Sequence, residues 1–306
     1  MIKRRFWHVL SEQMKDRRVL IHYSQGKISG SREHFFHFLL GYLLPGLYAA
    51  GVHKSSFDSS TVLEFMDCGP LMNERISDAC DVLGIQHVIK RGGAGSDPRA
   101  NQSRNVRAPR WDGRLCSCKR SAIRLRHWPE EVILKIRGRS TAASIQQFRD
   151  FFLRATVESG IQPQKPEWLL LRRSAQPHYY SKSGGSEKPG YGMKRRSILN
   201  IDILAEDLAA AGWPVRIYEP GTANLVEQAS TFHHCAGVIG IRGAELANIV
   251  WMRPGTKVLM LANPVGMENY GAFNLANTLN VEFDQLMVST RFPSVSASDI
   301  IQRLSA

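Results

Sequence analysis

Short apolar runs alternate with helical segments along the chain, and this alternation constrains its fold more than any other feature. Residues 19–23, 61–66 and 86–90 are predicted strands with helices between them. The same pattern restarts at residues 168–171 and continues through the predicted strand 237–241. Strands that alternate with helices form parallel sheets, because each crossover helix returns the chain to the edge where the previous strand began. We therefore predict an α/β fold.

The length divides this fold into two domains. A chain of 306 residues is long for one domain and provides about 150 residues for each of two. Pro163 and Pro166 interrupt the alternating pattern near the middle of the chain. We therefore predict two α/β domains with parallel sheets, over residues 1–162 and 163–306.

Basic residues outnumber acidic ones, 40 to 27, which gives a net charge of +13. The excess is greatest in a predicted basic loop, residues 90–126, where only Asp97 and Asp112 are acidic. Such a segment attracts an anionic membrane surface, an acidic glycan or nucleic acid, or it is a solvated face without a partner. The amphipathic helix predicted over residues 3–16 packs on the protein or lies on a membrane surface.

The chain carries no recognisable signal peptide, and we expect a cytoplasmic protein with peripheral contact to the inner membrane face. Residues 35–52 lack charged side chains, but His37, Pro45 and Gly46 favour a buried helix over a membrane span. The cysteine spacing predicts neither a disulfide framework nor a zinc site, so reduced thiols are expected. The five cysteines are Cys68, Cys80, Cys116, Cys118 and Cys235.

Residues 237–261 are the most informative stretch, because they predict a strand, a tight turn, a helix and a second strand. Gly243 and Ala244 place almost no side chain at the turn, which lets a ligand approach the backbone. A helix N-terminus carries a partial positive charge, and Arg242 adds a guanidinium suited to phosphate oxygens. The turn predicts a pyrophosphate site, although small residues there also serve plain helix–strand packing.

Further arginines are expected at the same edge of the second sheet. Arg172 and Arg173 follow a predicted strand, and ligands of open α/β sheets bind outside the carboxyl ends of strands. Arg196 and Asn200 open the next helix. Glu227-Gln228 on the following helix are candidates for ribose hydroxyls, or they lie on a solvated helix face.

This ordered set resembles glycosyltransferase family 61. The resemblance rests on Arg173, Arg196-x-x-x-Asn200, Glu227-Gln228, Gly243-Ala244-x-Leu246-x-Asn248 and Pro254-Gly255. A segment from Glu33 through His37 is similar to the family's histidine-bearing helix. Two departures stand out: Arg242 replaces the usual histidine before Gly-Ala, and Gly41 stands where the family often has an aspartate.

The resemblance implies a GT-B architecture, in which two Rossmann-like domains with parallel sheets face a cleft. The acceptor is expected at the N-terminal domain and the nucleotide sugar, a UDP-sugar by preference, at the C-terminal one. It also implies inversion at the anomeric carbon, no obligatory metal and no cofactor beyond the nucleotide-sugar substrate. Glu33, His37 and Asp67 are the candidate catalytic bases, because they lie near the ends of the first predicted strands. A bacterial capsule or lipopolysaccharide enzyme with a glycan or glycolipid acceptor fits these expectations.

Three other interpretations stay open. The net charge suits a nucleic-acid-binding protein, although the basic loop lacks interleaved aromatic residues and no nucleic-acid motif is present. Gly41 is compatible with a relative that binds a nucleotide sugar without transferring it. A nucleotide-sugar epimerase would share the two-domain fold.

Overall fold

A computed structural model of the protein describes residues 18–23, 35–44, 46–47, 62–90, 124–128, 131–136, 142–158, 166–175, 192–262 and 271–305. The chain divides into two compact units, Met1–Ser159 and Gly160–Ala306. Each unit contains its own five-stranded sheet. The α/β fold class is confirmed.

The first unit has a mixed sheet in the order β3-β2-β1-β5-β4. Its strands are β1 Arg18–Tyr23, β2 Val62–Met66, β3 His87–Lys90, β4 Arg124–Trp128 and β5 Glu131–Ile136. All neighbours are parallel except β4 and β5, which pair antiparallel. The prediction of a purely parallel sheet is therefore wrong here. The last part of the predicted basic loop, residues 124–126, lies in the edge strand β4.

The helices of the first unit are α1 Phe35–Phe38, α2 Pro70–Val82 and α3 Ala142–Glu158. A π-helical turn, Leu39–Leu43, follows α1, and the Leu44 N–H donates to the Leu39 carbonyl five residues back. Tyr42 on this turn is fully buried, and its hydroxyl accepts the Met66 N–H at 2.8 Å. The turn therefore holds the carboxyl end of β2. Sequence periodicity predicts a plain helix here because it does not distinguish a widened turn.

The second unit has a fully parallel sheet in the order β10-β9-β8-β6-β7. Its strands are β6 Trp168–Leu171, β7 Val215–Tyr218, β8 Gly237–Ile241, β9 Lys257–Ala262 and β10 Glu282–Met287. From β6 the chain moves outward to β7, then returns to the other side for β8 and continues outward to β10. The direction of winding thus reverses between β6 and β8, the topological switch point at which open α/β sheets bind ligands.

Helices cover this second sheet. They are α4 Ile201–Ala210, α5 Leu225–His234, α6 Gly271–Leu279 and α7 Ala297–Leu304, with a 3₁₀ helix over Ala244–Trp251. Leu170, Ile239 and Leu259 from the central strands pack with Leu204 and Leu208 of α4 in a buried apolar core. This burial explains why β6, β8 and β9 are nearly continuous apolar runs.

Two local predictions in the second unit are corrected. The sequence predicts a helix over residues 224–235 with Thr222 as its N-cap. In the structure Asn224 caps α5, and its side chain accepts the Glu227 N–H at 2.8 Å. Thr222 belongs to the short 3₁₀ turn Pro220–Thr222 before it. The helix predicted over residues 245–252 is a 3₁₀ helix rather than an α-helix.

Within the described ranges, no helix combines the length and the apolar character needed to cross a membrane.

Candidate functional site

The carboxyl ends of β6 and β8 define the candidate site. Leu171 at the end of β6 lies beside Gly240 of β8, and both strands point the same way. Arg172 and Arg173 follow β6, while Arg242 and Gly243 follow β8. The sheet therefore brings the predicted phosphate-binding residues of two distant segments to the switch point.

We take Arg173 as the central residue of the candidate site, because its charged side chain is almost fully buried. Its side chain is 6% exposed, and its Nε donates to Oε1 of Glu245 at 3.1 Å. The guanidinium Nη1 of Arg173 and Oε2 of Glu245 are buried, and neither has a hydrogen-bond partner among the residues that the structure describes. A buried charged group with an unmade hydrogen bond is costly, so these two atoms make the pair a candidate ligand contact.

Gly243 lets these two side chains come together. Its backbone is extended, with φ −167° and ψ 176°, so its conformation does not itself require glycine. A Cβ at this position would lie 2.3 Å from Glu245 Oε2 and 3.4 Å from Arg173 Cζ. The Glu245 carboxylate therefore occupies the space that a side chain at position 243 would fill.

The 3₁₀ helix Ala244–Trp251 begins directly after Gly243, which is its N-cap residue. The first N–H groups of a helix lack intrahelical acceptors and carry partial positive charge, which suits anions. In this chain Glu245, in the first turn, already places a carboxylate there. At this turn the N-terminus of the 3₁₀ helix therefore lies beside the Glu245 carboxylate and the buried Arg173 with which it pairs.

Three further predicted arginines have different surroundings. Arg196 donates from Nη1 to the backbone carbonyl of Arg242 at 2.7 Å and so positions the turn after β8. Arg242 itself is partly buried. Arg172 forms an ion pair with Asp202 of α4, in which the Asp202 side chain is largely exposed and the Arg172 side chain is partly exposed. Exposed pairs of this kind contribute little to stability.

Asn200 is held by the C-terminal part of the unit. Its Nδ2 donates to the Val295 carbonyl at 2.9 Å, and its Oδ1 accepts the Val295 N–H at 3.0 Å. The amide thereby joins the start of α4 to the segment before α7. A direct contact between Asn200 and a nucleotide stays a prediction.

Gln228 and Asn248 form a buried polar network with Trp251. Asn248 Nδ2 donates to Gln228 Oε1 at 3.0 Å, and Asn248 Oδ1 accepts the Trp251 Nε1–H at 3.1 Å. Gln228 Nε2 donates to the Ala223 carbonyl. The network fixes the 3₁₀ helix against α5, while the neighbouring Glu227 is exposed. As nucleotide ligands these residues stay predictions.

Asp67 is the candidate base that the structure describes in most detail. It follows β2, and its Oδ1 accepts from the Gly69 N–H and from Asn73 Nδ2, both at 2.9 Å. These two donors fix the orientation of the carboxylate. The structure describes His37 only through its backbone in α1, and Glu33 lies outside the described residues.

Sequence reasoning missed Glu245 and Ser174. The Ser174 Oγ is buried and has no hydrogen-bond partner within the described part of the chain, and a Cβ on Gly221 would lie 2.0 Å from it. The sequence does contain a signal for Glu245, because it places a negative charge two positions after the glycine of a predicted phosphate-binding turn. Such a charge would repel a phosphate. Ser174 has no comparable signal in the sequence.

The described cysteines are buried thiols. Burial raises the pKa of the Cys235 thiol to about 12, against the opposing effect of the nearby Arg253. Burial likewise raises the pKa of Cys80. Because the thiolate is the nucleophile, neither thiol is suited to covalent catalysis. Within the residues that the structure describes, no three His, Cys, Asp or Glu side chains group as a metal site would require.

Comparison with known proteins agrees with the motif resemblance. The family model Glycosyltransferase 61 matches residues 35–259, which is well over half of the 306-residue chain. The match includes both sheet ends that carry Arg173 and Gly243. A comparison with curated proteins finds no match. The chain belongs to glycosyltransferase family 61.

Proposed function

We propose that this glycosyltransferase moves a sugar from a nucleotide diphosphate sugar, a UDP-sugar by preference, to a glycan or glycolipid acceptor. The observation that carries the donor class is the buried Arg173, whose Nη1 lacks a partner among the described residues at the switch point. A diphosphate oxygen would satisfy that atom with a charge-assisted hydrogen bond. Arg242 and the start of the 3₁₀ helix add positive charge beside it.

The proposed reaction proceeds with inversion and without an obligatory metal. The acceptor hydroxyl oxygen forms the new bond to the anomeric carbon while the bond from that carbon to the diphosphate oxygen breaks. The hydroxyl proton passes to a carboxylate, for which we propose Asp67, and the leaving diphosphate keeps the electron pair. Arg173 and Arg242 would stabilise the charge that develops on it.

The two α/β units are compatible with a GT-B arrangement, in which the second unit binds the donor and the first binds the acceptor. We place the enzyme in cell-surface polysaccharide synthesis, at the cytoplasmic face of the membrane, because the basic sequence favours anionic lipid. Co-sedimentation with anionic and neutral vesicles tests this location. Binding to anionic vesicles that weakens with salt supports it, and absence of binding at low salt contradicts it.

The donor class is tested by calorimetry with UDP, GDP, CMP and their sugars. Removing Arg173 alone would leave the buried Glu245 charge uncompensated and could unfold the unit. The double variant Arg173→Met/Glu245→Met removes both charges and keeps similar volume. We expect it to fold and to bind the preferred nucleotide about ten- to a hundredfold more weakly. Arg242→Ala should weaken binding in the same direction.

A matched control is available at the opposite edge of the same sheet. Arg216 Nε contacts Glu167 Oε2 at 3.1 Å, the same distance as in the Arg173–Glu245 pair. Glu167 immediately precedes β6, so this pair lies at the amino edge. Arg216→Met/Glu167→Met should leave nucleotide affinity unchanged. Equal binding by both double variants, or no binding of any panel member by the wild type, would refute the proposed donor site.

A further inference from the structure

Glu245 poses a problem for a site that binds only a diphosphate. Its carboxylate lies on Arg173, in the first turn of the helix that would receive the anion. A diphosphate bound to Arg173 would approach this negative charge, and like charges at short range repel strongly in a partly desolvated site. A site built for inorganic phosphate alone would therefore not keep a carboxylate at this position.

The two atoms of the pair that lack a partner within the described segments have opposite hydrogen-bonding needs. Arg173 Nη1 is a donor, whereas Glu245 Oε2 is an acceptor, and both are buried on the same ion pair. Gly243 holds Oε2 close to the backbone of the turn, since a Cβ there would lie 2.3 Å from it. A single ligand that satisfies both atoms must present an anionic oxygen and, within a few ångströms, a hydroxyl or N–H donor.

We infer that Glu245 is a specificity-determining residue of the donor site, and that its Oε2 accepts a hydrogen bond from a hydroxyl group of the donor. This inference rests on the proposed function and narrows it. The ligand is a diphosphate ester of a polyol rather than a free phosphate. The hydroxyl belongs either to the ribose or to the transferred sugar, since both lie beside the diphosphate in a nucleotide sugar.

Glu245→Gln is the sharpest probe of this role. Glutamine keeps the shape of the side chain, and its carbonyl oxygen can still accept from Arg173 Nε. It loses the negative charge and replaces one acceptor oxygen with a donor nitrogen. Pyrophosphate, which has no alcohol hydroxyl, should bind the variant as well as or better than the wild type, because the repulsion is removed. A nucleotide or nucleotide sugar should gain less or lose affinity, because its hydroxyl loses a charged acceptor.

The measured quantity is the ratio of nucleotide affinity to pyrophosphate affinity, determined by calorimetry in wild type, Glu245→Gln and the matched control Glu167→Gln. We expect Glu245→Gln to lower this ratio about tenfold and the control to leave it unchanged. A decrease with free UDP, GDP or CMP assigns the contact to ribose. A decrease that appears only with the corresponding nucleotide sugar assigns it to the sugar.

Two failures are distinguishable. If the wild type binds nucleotide but Glu245→Gln changes nucleotide and pyrophosphate affinity by the same factor, Glu245 acts only through its charge and the inference is overturned. The proposed donor site would survive that result. If the wild type binds neither pyrophosphate nor any of the nucleotides and nucleotide sugars, the proposed function fails and the inference fails with it.

Discussion

Replacing Gly243 with alanine should break the Arg173–Glu245 ion pair without touching either charged residue. The added Cβ would lie 2.3 Å from Glu245 Oε2, well inside van der Waals contact. The extended backbone at this position accepts alanine, so the effect is steric and not conformational. The clashing atom is at the end of a flexible side chain, and the carboxylate will therefore move away.

The cost of this movement follows from the contact that it breaks. The Nε–Oε1 hydrogen bond of 3.1 Å is charge-assisted, and the two side chains are only 6% and 20% exposed. Loss of such a bond costs about 1.5–3 kcal/mol, and complete removal of one partner from a buried pair sets an upper limit of about 5 kcal/mol. For a unit of this size, each kcal/mol lowers the Tm by about 2–4 °C, so a decrease of about 3–12 °C is expected.

Differential scanning calorimetry of a double-mutant cycle checks the mechanism. In a Glu245→Ala background there is no carboxylate to displace, so Gly243→Ala should cost almost nothing further. Gly240→Ala is the control, because its Cβ would press on Leu171 at 3.2 Å and should cost the same in both backgrounds. If Gly243→Ala and Glu245→Ala add to within about 0.5 kcal/mol, the steric reasoning is refuted.

Three other perturbations have defined outcomes. Asn248→Ala should destabilise the second unit by about 2 kcal/mol or more in thermal unfolding, because Gln228 and Trp251 both lose a buried hydrogen-bond partner. An unchanged Tm would show that this network is dispensable. Asp67→Asn should lower kcat about 10²- to 10⁴-fold while nucleotide affinity is preserved, and a kcat near that of the wild type would exclude Asp67 as the base. Sugar transfer should persist in excess EDTA, and loss of transfer that manganese or magnesium restores would contradict the proposed metal independence.

The sequence predicted β6 and β8 well because each is an uninterrupted apolar run between strong turn signals. Residues 168–171 and 237–241 were placed with the bounds that the structure has. The edge strand β10 was not predicted, because acidic and polar residues interrupt its apolar pattern. The antiparallel strand β4 was missed because its arginines resemble those of the preceding basic segment. The distribution of charged residues along the sequence does not show which of them pair with a neighbouring strand.

The candidate site was predictable as a location but not as a set of contacts. The ends of two apolar strands with adjacent arginines indicated the carboxyl edge near Arg173 and Gly243. The partner of Arg173 is Glu245, 72 residues away, and only the strand order brings the two together. Gln228 and Asn248 carry polar side chains suited to a ligand, yet they meet each other in the core. Sequence patterns locate sheet edges, whereas pairings between distant segments depend on the packing of the whole unit.

The π-helical turn in the first unit changes how relatives should be compared with this chain. A π turn contains one residue more than an α turn, so it acts like a one-residue insertion inside an otherwise continuous helix. Counting four residues from His37 reaches Gly41, where the family pattern often has aspartate, and this position lies within the widened turn. Tyr42, the next residue, has a buried hydroxyl fixed on the Met66 N–H. A relative whose helix is regular at this turn would therefore align with this chain only after a gap of one position.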